Sequence, residues 1–321
     1  MMKMAREKLI LSIFGSIVLG GIALAGPALA ADEENDPPLQ EYMSTDNPPE
    51  FDTSEQAVEA FKMAVNGGDF EKLAQLLGLD AAKAKASDGA TGNYAAIQVG
   101  VKESTAVEDR EGGKVLEIGK QRWPLPFPLV KTEGGKWVFD TYAGLEEIAD
   151  RRVGENELST IGTVRAYVDA QEDYMSEDHD ADGVLEYAQK LISSDGQHDG
   201  LYWPSEQGDG EDSPAGPALV DGNALEKAKA GLGYNGYRFR ILTGQGEKVA
   251  GGKFDYIING NMIAGFGLVA WPVKYGITGV KTFVVNKSGV VYEADLGDRT
   301  SDLASGIRTF NPGDQWDIVE E

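Results

Sequence analysis

The spacing of apolar positions predicts helices followed by strands in the first half of the chain. Apolar residues recur at helical spacing after Thr53, which forms a capping-box pair with Gln56. The Gly-Gly pair at 67–68 ends this predicted helix, and Asp69 caps a second, shorter one. Two apolar runs then flank the Thr-Glu-Gly-Gly sequence at 132–135, a pattern that predicts a β-hairpin.

The second half begins with a longer amphipathic pattern. From Glu155 to Met175 the apolar positions fall on one face of a helix. An Asp-rich turn follows, and a further helix is predicted from about Val184 to Ile192. Beyond residue 236 apolar and polar positions alternate with a period of two, which predicts strands, including a hairpin around the Lys-Ser-Gly turn at 287–289. We expect one long helix on an antiparallel meander of strands.

These patterns divide the chain into four parts. Residues 1–30 have the charged, apolar and small-residue order of a secretory signal peptide, although an uncleaved membrane anchor is the alternative. Residues 31–50 are acidic and rich in proline, which predicts a linker. Residues 51–150 are predicted to be a small α+β domain, and residues 151–321 an α+β domain with a long helix and an antiparallel sheet. We expect a periplasmic or secreted protein with no membrane span in its mature form.

Composition narrows the classes of partner and of chemistry. The chain has 53 acidic against 29 basic residues and a net charge of −24, so its field disfavours nucleic acid and anionic membrane surfaces. Cations and basic partners are compatible with this charge. Cysteine is absent, which excludes disulfides and thiol catalysis.

One segment has the spacing of a metal-binding loop. The sequence Asp-His-Asp-Ala-Asp-Gly at 178–183 matches the first half of an EF-hand loop, with carboxylates at positions 1, 3 and 5 and glycine at position 6. Gln189 stands at position 12, where a bidentate Glu is typical, so we expect weak Ca²⁺ binding. The alternative is a solvated Asx turn that caps a following helix. The candidate ligands are Asp178, Asp180, Asp182, Val184 and Glu186.

Other candidate groups favour structural roles. The two histidines, His179 and His198, cannot form a convincing zinc site without cysteine and are expected to be exposed loop residues. The aromatic residues at 202–203 and Trp271 lie beside prolines, where they could line a groove for a glycan or a peptide. Core packing is the preferred interpretation of these aromatics.

Eight strings, in order along the chain, resemble an exported bacterial family known as domain of unknown function 2950. They are FDTSEQAV (51–58), WPLPFPLV (123–130), RRVGENEL (151–158), YVDAQ (167–171), DGVLEYA (182–188), DGLYWP (199–204), TFVVN (282–286) and GVVYE (289–293). The resemblance implies export and brings no activity with it. In fold, residues 51–140 are similar to cystatin-like or NTF2-like domains, and residues 158–295 to the globular head of type IV pilins.

The function expected from these features is a non-enzymatic binding or assembly-accessory module of the cell envelope, stabilised by calcium. Its expected partner is an envelope protein or a glycan. The alternative is a periplasmic hydrolase that uses carboxylates, but acidic residues are too abundant for the sequence to single out a catalytic pair.

Overall fold

The computed structural model describes residues 39–87, 90–204, 213–216 and 233–320. The predicted signal peptide at 1–30 and the first part of the predicted linker, residues 31–38, lie outside these ranges. Within them, no helix combines the length and the apolar character that a membrane span requires.

Helices cover the start of the described chain, and two of them begin at their predicted caps. The Oγ1 atom of Thr53 accepts a hydrogen bond from the Gln56 N–H at 3.2 Å, and the Asp69 carboxylate accepts one from the Lys72 N–H at 3.0 Å. Gly68, with a φ of 69°, provides the left-handed turn after the first helix. The helices are α1 (Ser54–Asn66), α2 (Phe70–Leu76), α3 (Ala81–Ala86) and α4 (Ala90–Glu103).

An antiparallel sheet follows these helices. The strands are β1 (Thr105–Arg110), β2 (Gly113–Ile118), β3 (Trp123–Pro124), β4 (Leu129–Lys131) and β5 (Trp137–Phe139). Their order is β1-β2-β4-β5, with β3 paired to β2. Strands β4 and β5 form the predicted hairpin around residues 132–135. Phe61 of α1 packs with Leu116, Leu129 and Phe139 of the sheet, and all four are buried in one core.

A single helix, α5 (Thr141–Tyr174), leads from this core to the second half of the chain. The prediction that the helix begins at Glu155 is wrong. Asp140 is its N-cap and accepts a hydrogen bond from the Ala143 N–H at 3.1 Å. The sequence does not reveal the first turns of α5, because the stretch after Leu145 is charged and lacks an apolar face. No described side chain of α5 is buried between Leu145 and Thr160. The proposed boundary between residues 150 and 151 therefore lies inside a continuous helix, and the division into two domains stays a prediction.

The second sheet has the predicted antiparallel meander. Its strands are β6 (Tyr237–Leu242), β11 (Gly267–Pro272), β12 (Lys281–Asn286), β13 (Tyr292–Asp295) and β14 (Asp317–Ile318), in the order β14-β13-β12-β11-β6. Between β6 and β11, two short antiparallel pairs form from β7 (Gly244–Gln245) with β8 (Phe254–Asp255), and from β9 (Ile257–Ile258) with β10 (Asn261–Met262). Helix α5 contacts β11 and β12, while α6 (Thr300–Gly306) contacts β11.

These helices pack on opposite faces of the second sheet. Alternate residues of β11 enter two different clusters of buried side chains, because side chains alternate between the faces of a strand. Leu268 packs with Val164 and Tyr167 of α5, whereas Val269 packs with Ala304 of α6. The mixture of helices and antiparallel sheets makes the protein α+β, as predicted.

Candidate functional site

The acidic loop, residues 178–186, follows the end of α5 and holds the predicted metal ligands. One carboxylate oxygen from each of Asp178, Asp180 and Asp182 lies within 4.8 Å of the other two, and all three residues are exposed. The structure therefore brings together three of the five candidate ligands. Glu186 lies outside this group. Val184 comes two residues after Asp182, and its N–H donates to the Asp182 carboxylate at 2.7 Å.

Local hydrogen bonds fold the acidic loop back on itself. The Asp178 Oδ2 atom accepts from the Gly183 N–H at 2.9 Å, and this hydrogen bond is the main cause of the lowered pKa of Asp178. Ala181 and Gly183 have left-handed φ angles of 59° and 85°. The Asp182 N–H donates to the Asp180 Oδ1 atom at 3.3 Å, and the Val184 N–H donates to the Asp182 Oδ1 atom at 2.7 Å. These are Asx turns, as the alternative interpretation predicted, but they cap no helix.

No helix follows the acidic loop, so the predicted helix from about Val184 to Ile192 is wrong. Residues 184–191, called the irregular segment below, form no helix or strand, and their polar groups bond to other parts of the chain. The Tyr187 N–H donates to the Met262 carbonyl at 2.9 Å, and the Ala188 N–H donates to the Gln171 Oε1 atom at 2.8 Å. Tyr187 and Ala188 are both buried, so tertiary packing decides the conformation.

The β9–β10 hairpin holds the acidic loop from the other side. Asp182 accepts a hydrogen bond from the Asn261 side chain at 2.6 Å, and Glu186 accepts one from the Met262 N–H at 2.8 Å. Gln189, at the expected position 12, donates to the Gly260 carbonyl at 2.6 Å and so faces the hairpin. The hairpin turn is tight, since Asn259 and Gly260 both have positive φ, as a type I′ turn requires.

A buried glutamine fixes the irregular segment against α5. The side-chain amide of Gln171, which is fully buried, donates to the Ala188 carbonyl at 2.9 Å and accepts from the Ala188 N–H at 2.8 Å. Its Nε2 atom also donates to the Tyr167 hydroxyl at 3.0 Å, and that hydroxyl donates to the Gly267 carbonyl at 3.0 Å. Burial raises the pKa of Tyr167, so the hydroxyl stays neutral in this network.

His179, within the acidic loop, and His198 both take part in an aromatic stack. The His179 ring stacks on Tyr174 with 4.1 Å between centroids, and the His198 ring stacks on Trp203 with 4.2 Å between centroids. The His179 centroid lies 5.7 Å from that of Trp203. Both histidines are loop residues, as predicted, but they are half-buried and not exposed. Core packing is confirmed for Trp203 and Trp271, each with 5% of its surface exposed.

A surface cavity of about 460 Å³ opens between the acidic loop and this stack. Asp180 and Asp199 line it together with the two histidines. Burial, followed by the charges of Glu186, Asp199 and Asp180, raises the pKa of Tyr174 to about 12. Asp199 is paired with Lys190, whereas Asp180 faces the cavity without a cation among the described residues.

The family-like string RRVGENEL (151–158) anchors α5 to the second sheet. The Asn156 side chain donates to the Thr278 carbonyl at 2.9 Å. One carboxylate oxygen of Glu157 accepts the N–H groups of Val280 and Lys281 at 2.8 and 2.9 Å. These residues hold the turn before β12 against the helix, so this part of the string has a structural role.

Sequence reasoning missed the residues that position the acidic loop. Asn261 and the Met262 N–H lie far from the loop in sequence. Gln171 lies nearer to it but belongs to no metal-binding pattern. The Asn-Gly dipeptide at 259–260, directly after two isoleucines, was an available hairpin signal.

Together, the fold and the site define an α+β protein that presents an acidic loop on a β-hairpin. The family model described as "Protein of unknown function (DUF2950)" matches residues 49–319. The chain therefore belongs to this family, as the resemblance of the eight strings predicted. No curated protein and no solved structure matches the chain.

Proposed function

We propose that this protein is an exported, non-enzymatic binding or assembly-accessory module of the cell envelope, and that Ca²⁺ bound by the acidic loop stabilises it. The observation that carries the proposal is the convergence of Asp178, Asp180 and Asp182 within 4.8 Å. Three carboxylates at this distance repel one another, and a hard cation that prefers oxygen ligands would remove the repulsion.

The three aspartates would supply the charged ligands of the ion. Because they are exposed, water would complete the coordination that Ca²⁺ requires. Glu186 and Gln189 are held by the hairpin and do not provide the bidentate carboxylate of an EF-hand. We therefore expect a weak dissociation constant, on the order of 10⁻⁴ to 10⁻³ M.

The surroundings of the acidic loop support a binding role. Leu185, Ile258 and Ile263 expose 49%, 46% and 40% of their surface on the loop, on the hairpin and directly after it. Exposed apolar side chains beside a polar rim are typical of a protein or carbohydrate contact. Since Asp182 and Glu186 both bond to the hairpin, an ion in the loop would also order this surface.

Isothermal titration of residues 31–321 with CaCl₂ tests the proposal. Binding of one Ca²⁺ is expected for the natural protein and should disappear in Asp180→Asn. Asp314→Asn changes an exposed aspartate outside the loop by the same atoms and is the matched control. Equal heats for both variants and the natural protein, or no saturable binding, would refute the calcium site.

Location and detailed fold are part of the proposal. Residues 1–30 would direct export and be removed, leaving a periplasmic or secreted protein. The helices and curved sheet at 51–140 would form a cystatin-like or NTF2-like unit. Helix α5 on the second sheet would correspond to the long helix and meander of a pilin head. This is an analogy of fold, which by itself assigns no function.

A further inference from the structure

Two arginine side chains meet at the C-terminal end of α6, on the face of the second sheet opposite to α5. The Nη1 atoms of Arg240 and Arg308 both donate to the Ser305 carbonyl, at 2.7 and 2.6 Å. Both also donate to the Ile307 carbonyl, at 3.3 and 3.2 Å. The Arg240 guanidinium lies over the Trp271 ring, 5.1 Å from its centroid. Two positive charges are thus held side by side in a protein of net charge −24.

Among the described residues, no acceptor contacts the Nε or Nη2 atoms of either guanidinium group, and Arg308 is exposed to solvent. Each has five N–H donors, and these contacts use Nη1 alone. Among the residues that the structure describes, neither arginine forms an ion pair with a carboxylate. Burial, and then the charge of Arg308, lowers the pKa of Arg240. The free Nε–Nη2 edge of a guanidinium is the edge that binds a carboxylate or a phosphate in a bidentate manner.

A cavity of about 320 Å³ lies beside this pair. Its lining includes the polar residues Arg308 and Asn311 and the apolar residues Ile307, Pro312 and Trp316. Trp316 is half-buried and packs against the core under α6. The volume is at the lower end of the range for small-molecule sites. An indole wall beside a free guanidinium suits a ring-shaped ligand that carries an anionic group.

We propose that this cavity, which we call the arginine cavity, binds a small ligand with a carboxylate or phosphate group on a ring-shaped body. Arg308 binds the anionic group through its free donors, and Trp316 packs against the ring. Arg240 adds positive charge from behind and offsets the negative field of the whole protein. The arginine cavity and the acidic loop lie on opposite faces of the second sheet, so this inference is independent of the calcium proposal.

NMR titration with benzoate, phenyl phosphate and the neutral analogue benzamide tests the inference. The probe signal is the indole N–H of Trp316, assigned with Trp316→Phe. We expect saturable shifts with one or both anions and none with benzamide. Arg308→Gln should weaken binding about tenfold or more, because a charge-assisted pair is lost. Arg308→Lys should weaken it less, because the charge stays and the fork is lost.

Controls separate binding from general charge and from folding. Arg165→Gln removes an exposed arginine of α5 and should leave binding unchanged. Binding of benzoate alone indicates a carboxylate ligand, and binding of phenyl phosphate alone a phosphorylated one. The inference is overturned if neither anion binds, if benzamide binds equally well, or if a folded Arg308→Gln variant binds as the natural protein does.

Discussion

At the scale of single residues, the acidic loop depends on groups that carry no metal-binding signature. The Gln171 side chain bonds to the Ala188 backbone as a neighbouring strand would, because its amide donates to the carbonyl and accepts from the N–H. Gln171 is fully buried, and its removal leaves the Ala188 N–H and carbonyl without partners. Groups of this kind are costly because they lose their bonds to water and gain none in return.

We predict that Gln171→Ala destabilises the protein by about 2–4 kcal/mol, since two buried backbone groups lose their partners. Urea unfolding measures the difference in the free energy of unfolding. Gln197→Ala removes an exposed glutamine from the same region and should change stability by less than about 0.5 kcal/mol. Similar small changes for both variants would show that the amide does not fix the irregular segment.

A second prediction at this scale concerns Asp178 and pH. The hydrogen bond from Gly183 lowers the pKa of Asp178 in the folded protein. A depressed pKa contributes stability above the unfolded value of about 3.9, and this contribution is lost as pH falls through the folded value. NMR titration in EDTA should place the Asp178 midpoint below that of an unfolded peptide, and Asp178→Asn should flatten the acid branch of the stability profile. A midpoint at or above the peptide value contradicts the loop geometry.

At the scale of elements, the sequence predicts best where one segment determines its own structure. The capped helices α1 and α2 and the hairpin β4–β5 follow from local signals, and the structure confirms them. The start of α5 was missed because its middle is charged and not buried, which removes the amphipathic pattern. The segment after the acidic loop was predicted as helix because its bonds to Gln171 and Met262 come from distant parts of the chain.

The continuity of α5 gives a prediction with an internal control. A Cβ atom added at Gly154 or at Gly162 would have no neighbour within 4 Å, so Gly→Ala there should stabilise the helix by about 0.5–1 kcal/mol each. A Cβ atom at Gly144 would lie 2.0 Å from the Phe127 ring, so Gly144→Ala should destabilise the protein. Thermal unfolding of the three variants measures whether each substitution raises or lowers the stability of the protein. If Gly154→Ala is destabilising, α5 does not run unbroken between the cores.

At the scale of the whole molecule, the acidic charge and the proposed export belong together. A net charge of −24 favours solubility and cation binding over contact with nucleic acid. An exported protein meets calcium at concentrations that could fill a weak loop. The acidic loop therefore makes most sense if the chain leaves the cytoplasm.

Export predicts a defined mature N-terminus. The Ala28-Leu29-Ala30 sequence is followed by Ala31, so cleavage should leave Ala31 as the first residue. Intact-mass measurement of the exported protein checks this. A mass that still includes residues 1–30 would favour the uncleaved anchor instead.

The most direct test of the calcium-stabilised module is the thermal unfolding of residues 31–321 in EDTA, in about 10 mM Ca²⁺ and in Mg²⁺ at matched ionic strength. With a dissociation constant near 10⁻³ M, Ca²⁺ should add about 1.4 kcal/mol, which raises the unfolding midpoint by about 3–5 °C. Mg²⁺ should raise it less, since it is reluctant to lose its water. Asp180→Asn should remove the Ca²⁺ response. An equal midpoint in all three solutions would contradict the account and leave the acidic loop as a set of solvated Asx turns.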